Sequence, residues 1–177
     1  MSTDWTDYEP FDPGIHQPVH ELSRREAKAA FERLMAAKEA RIAELDRLLC
    51  ANGVGLDDSP EGLARLNLWF SSEVEPDPNN PSRLRPLWYA VVNDLALYLG
   101  DVIISRAPTL YWAFFDGSPR DAEFQRHVLM GFTKVANSKY NVDIDLRLAG
   151  YGHRIVKGER VTGDEFQTWI DTAIELA

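Results

Sequence analysis

The chain has 177 residues, 45% of them apolar and 27% charged, an ordinary composition for one globular domain that can bury a core without a metal or disulfide. Its net charge of −9 repels phosphate backbones and disfavours nucleic acid as a partner, and the single cysteine, Cys50, excludes an intrachain disulfide. The opening MSTDWTDYEPFDPG has neither the basic region nor the apolar run of a secretory signal, so a reducing, bacterial-type cytoplasm is the expected location.

Residues 1–22 carry five acids, no Lys or Arg, and no hydrophobic period, which predicts an extended acidic arm ahead of one domain over 23–177. Trp5, Tyr8 and Phe11 recur every third residue among those acids. They either tie the arm to its own domain or form an acidic, aromatic docking segment for a basic partner. His16 and His20 are four apart, but Pro18 between them breaks the helix such a metal pair needs.

Ser23-Arg24-Arg25-Glu26 is a capping box, and Ala27, Phe31, Leu34, Met35, Ile42, Leu45, Leu48 and Leu49 follow at helical spacing up to an Asn52-Gly53 stop. The other face alternates Arg, Lys and Glu and reads as solvated. A helix of about 40 Å by its rise per residue is expected to overhang the core and offer a homodimer surface over residues 23–52. Ser59-Pro60-Glu61 opens a second, apolar helix with Pro at its first position, and Glu73 to Arg85 reads as a polar, proline-rich loop.

A third helix is predicted from about Pro86 to Ser105, with Trp88, Val91, Val92, Leu95, Leu99, Val102 and Ile103 as its stripe, widened by Leu97 and Tyr98. Asn93-Asp94 and Gly100-Asp101 interrupt it, which argues against a membrane span. Thr109 to Phe115 alternates with period two, a turn follows at Asp116-Gly117-Ser118-Pro119, and Phe124 to Phe132 reads as the antiparallel partner strand. Residues 143–156 predict a helix despite Gly150 and Gly152, and Thr162-Gly163-Asp164-Glu165 a second capping box before a terminal helix. The expected fold class is α+β, about five helices around a small antiparallel hairpin or sheet.

Candidate chemistry is sparse. Asp94 and Asp101 share one face of an apolar helix and could act as an acid/base pair around a pocket with His127 and His153. Buried carboxylates equally take hydrogen bonds or an arginine partner. Asp143-x-Asp145 has the spacing of a divalent-metal pair and also suits a helix N-terminus. Cys50 lies at a helix C-terminus, where the dipole raises a thiol's pKa. No G-x-S-x-G, P-loop or G-x-G-x-x-G is present, and no metal or cofactor is expected.

LNLWF at 66–70, Trp88-Tyr89, DLALYLGDVII at 94–104 and LYWAFF at 110–115 together resemble a loosely defined group of small uncharacterised bacterial proteins. In that group a helix ending in Tyr-Leu-Gly-Asp/Glu leads into a Trp-bearing strand, and some members look like immunity or toxin-associated proteins. The resemblance implies a protein partner and carries over no active-site residue.

The expected function is therefore a non-catalytic cytoplasmic protein that binds a basic protein partner, neither nucleic acid nor membrane. Its contacts would be Trp5, Tyr8 and Phe11 with Asp57, Asp58, Glu73 and Glu75. The alternatives are a small enzyme or ligand-binding domain using Asp94, Asp101 and His153, and a homodimeric scaffold.

Overall fold

A computed structural model describes residues 3–5 and 7–177. The first long helix, α1 (Arg24–Ala51), begins where the Ser23 hydroxyl accepts from the Glu26 N–H and the Glu26 carboxylate accepts from the Ser23 N–H. Ser23 and Glu26 thus satisfy two of the backbone donors that every helix start leaves open. Ser59 does the same for α2 (Pro60–Glu73), accepting from Gly62 N–H. The overhang expected of α1 is absent, because its buried residues run from Ala27 to Leu49.

The helix α3 (Pro86–Arg106) packs against α1, α4 (Ile144–Val156) and α5 (Glu165–Leu176). It is long and apolar enough to cross a membrane, yet here most of it is buried as the core helix. Trp88 sits fully buried at the centre of an aromatic group, with Trp5, Trp69 and Phe70 at ring-centroid distances of 5.2, 5.4 and 5.8 Å. Phe70 continues the group to Tyr151 and Phe166. Each such ring removes on the order of 150–250 Å² from water, so α2, α3, α4 and α5 are held by one shared aromatic mass.

Two small antiparallel sheets complete the α+β architecture. In the first, β1 (Pro76–Asp77) pairs with β2 (Asn80–Leu84) through an irregular register. This corrects the expectation of a plain loop over 73–85. Asp77 accepts from the Asn79 N–H and turns the chain, so a polar, proline-bearing segment still forms a ladder. In the second, β3 (Tyr111–Phe114) pairs with β4 (His127–Met130), Trp112 opposite Leu129 and Phe114 opposite His127. Val142 bridges to Leu129 on β4.

Two of the glycines in helical patterns, Gly100 and Gly152, are explained by neighbours, whereas Gly150 faces open space. A Cβ on Gly100 would overlap the indole of Trp112, and one on Gly152 would press on Leu84, so both let other elements close onto their helix. The Thr162 capping box does not form. The N-cap of α5 is Asp164, with no side-chain cap, and the Thr162 carbonyl instead accepts from the Tyr151 hydroxyl.

Candidate binding site

The two carboxylates of α3 are both met by cations from α1. Asp94, with no solvent exposure, accepts from Arg41 Nε at 3.1 Å and Nη2 at 2.6 Å, from the Tyr8 hydroxyl at 2.6 Å and from Asn93 Nδ2 at 3.2 Å. Burial, followed by the Asp94 charge, pushes the Tyr8 phenol far above its ordinary pKa, so it remains a donor. Asp101 binds Lys38 and accepts from Trp112 Nε1 at 2.9 Å. Arg41 and Glu44 are therefore turned inward, which corrects the reading of that α1 face as wholly solvated. Glu44 pairs with Arg47 and accepts from the backbone N–H of Glu9.

His153 engages neither carboxylate. Its Nε2 lies 2.8 Å from the Tyr89 hydroxyl, which also accepts from the Leu84 N–H. Desolvation lowers its pKa, helped by Lys157 and Arg83. No hydrogen bond or ion pair joins Asp94, Asp101 and His153 among the described residues. Asp143 and Asp145 share one cation, Arg126, and Asp143 also caps α4 by accepting from the Leu146 N–H. Among the described residues, no three His, Cys, Asp or Glu side chains converge as metal ligands.

The arm lies on the domain. Trp5 and Tyr8 pack against the core, and Asn52 exchanges hydrogen bonds with the backbone of Asp4. Further along, Arg33 donates to the Pro13 carbonyl at 2.8 and 3.1 Å. Gln125, buried and held at φ 62°, donates from Nε2 to the carbonyls of Val19 and Leu22. The chain between these anchors runs as a strap over the first half of α1, the first half of α3 and the start of β4.

Beneath the strap is a cleft of about 400 Å³. Its roof is Pro10, Phe11, Pro13, Ile15 and Val19 from the arm. Ala27, Ala30, Phe31 and Leu34 of α1 form one wall, and Pro86, Tyr89, Ala90 and Asn93 of α3 another. Gln125, Arg126 and His127 close it from the sheet side. The volume and the mostly apolar lining with few polar groups match the usual form of a small-molecule site. His127 packs on Trp112 with its Nε2 buried and unpartnered. Burial lowers its pKa against the opposing pull of Asp145 and Asp143, with Arg126 adding to the lowering, so the imidazole is neutral near pH 7.

Of the residues singled out from sequence, Phe11 and His127 line this cleft, while Tyr89 and Asn93 connect it to His153 and Asp94. Asp57, Asp58 and Asp101 border a separate shallow depression beside Tyr98, whose phenol is pushed up to about 12 by burial and then by Asp58 and Asp57. The acidic surface is largely paired: Asp57 with Arg65, Asp58 with Arg106, Glu75 with Arg85, and Glu73 accepting from Thr3. Sequence reasoning missed Arg41, Gln125 and Arg126. The usable signal was that Lys38 and Arg41 occupy inward positions of the Leu34, Leu45, Leu48 stripe, where an unpaired cation could not be buried. Comparison with protein-family models, with curated proteins and with solved structures finds no match to this chain.

Proposed function

We propose that this protein is a non-catalytic binding protein and that the strap-covered cleft is where its small, apolar ligand sits. The observation that carries the reading is the partly covered cleft itself, walled by the arm, α1, α3 and the start of β4 and lined mostly by apolar groups with a few polar ones. The acid and base groups that would serve an enzyme are committed elsewhere: Asp94 to Arg41 and Tyr8, Asp101 to Lys38 and Trp112, His153 to Tyr89. Trp5 and Tyr8 hold the arm to the core, which favours a ligand under the arm over a protein docked on those rings.

The test is saturation-transfer NMR with a set of ring fragments of neutral, anionic and cationic charge, recorded on the wild-type chain and on Ala90→Phe. Ala90 is half-buried on a cleft wall, so the phenyl ring would occupy the cleft. Wild type should saturate a subset of fragments, and the variant, checked for native circular dichroism, should lose them. No saturation with wild type, or equal saturation with both, would overturn the proposal.

A further inference from the structure

We infer that the ligand of this cleft is an electrically neutral, aromatic molecule carrying an N–H or O–H donor. The inference rests on the cleft being the binding site. Charge is its first support. No carboxylate lines the cleft, so a cationic ligand finds no counter-ion. The one lining residue of fixed charge is Arg126, and its Nε and Nη2 are already taken by Asp143 and Asp145. An anion would lie beside a guanidinium whose charge two resident carboxylates already offset, while losing hydration in a mostly apolar cleft, which is costly. His127, neutral by burial, supplies no second positive charge near pH 7.

Hydrogen-bonding capacity is the second support. Gln125 spends its amide N–H groups on the carbonyls of Val19 and Leu22, and Asn93 donates to Asp94. Their side-chain oxygens accept from no described residue. The Tyr89 hydroxyl, by contrast, is already engaged by Leu84 and His153. The lining therefore holds two open side-chain oxygens, on Asn93 and Gln125, beside the unpartnered Nε2 of His127, and a ligand that donates would satisfy the oxygens. Shape is the third. Phe11 and Phe31 face the cleft together with the prolines at 10, 13 and 86, whose rings have little conformational freedom to lose when a flat partner is bound.

Three probes that share one aromatic skeleton separate these terms. N-phenyl-1-naphthylamine is neutral with one N–H, its N-methyl derivative is neutral without it, and 8-anilino-1-naphthalenesulfonate keeps the N–H but adds a negative charge. Fluorescence titration of the folded wild-type chain should rank the neutral amine at least about tenfold tighter than either relative, the loss of one hydrogen bond or the burial of one charge being of that order. Asn93→Leu should reduce the preference for the N–H over the N-methyl compound, and Asn93→Leu combined with Gln125→Leu should erase it. Binding of all three with similar affinity, abolished by Ala90→Phe, would overturn the inference about ligand class and leave the cleft as the site. Binding of none, or binding indifferent to Ala90→Phe, would remove the site and the inference with it.

Discussion

Asn93 and Asp94 are neighbours on α3 and stand on opposite sides of a boundary. Asp94 belongs to a sealed seam where every oxygen has a donor, from Arg41, Tyr8 or Asn93 itself. Asn93 belongs to the cleft, where the facing side chains include the small residues Ala27, Ala30 and Ala90. The same two helices build both regions. Where they present Arg41 and Asp94 they close, and where they present alanines they leave a space that the arm covers but does not fill. Closure here depends on side-chain volume and charge matching, not on which helices meet.

The comparison is broken most severely at the seam. Arg41→Met strands the Asp94 carboxylate in the core and should cost about 3–5 kcal/mol in urea unfolding, and adding Asp94→Leu should recover more than half of that loss. An unchanged midpoint for Arg41→Met would mean that the seam is wet. A pair of matched insertions sharpens the contrast further. Ala96 is fully buried on α3, so Ala96→Phe should destabilise by about 1–3 kcal/mol or more, whereas Ala90→Phe enters open space and should cost less than about 1 kcal/mol. Equal melting points for the two variants would show that the cleft closes in solution.

Tyr8→Phe removes one donor to a buried carboxylate that keeps its arginine, and a loss of about 1.5–3 kcal/mol is expected from the thermal transition. The mildest effect is with pH. His127 and His153 have folded pKa values below 6.5, so the unfolded chain takes up protons first as pH falls. Their contribution is complete above about pH 6.5 and declines as pH drops below it, until the folded pKa values are reached. Each group can steepen the decline by at most about 1.4 kcal/mol per pH unit, and His153, only half-buried, by less. In denaturation curves between pH 7.5 and 5, His127→Gln should flatten the slope more than His153→Gln.

Much of the fold was legible because its signals are local. The Ser23 and Ser59 caps, the apolar run of α3 and the alternation at β3 each depend on residues a few positions apart, and each stands where the pattern puts it. Thr162 fails for a tertiary reason, since its carbonyl is engaged by Tyr151 and α5 starts later. The β1–β2 hairpin was hidden by Pro76 and Pro81, which weaken any strand reading. The inward turn of Arg41 was legible only in retrospect, through the gap it makes in an apolar stripe. The cleft was not legible at all. It is unfilled volume between a non-periodic arm, two helices and a strand, and no local pattern encodes what several distant segments fail to fill.

The ring contacts at the centre of the molecule also give it an optical signature. Trp5 belongs to the arm, while Trp88 and Trp69 belong to the domain, and all three indole N–H groups lie away from water without an acceptor. Their emission should therefore be shifted to short wavelength, and indoles this close should couple in the near-ultraviolet. Lifting the arm would take one member out of that group and expose the others. The native chain thus carries an unlabelled reporter of whether its strap is seated, readable in the same cuvette in which a ligand is added.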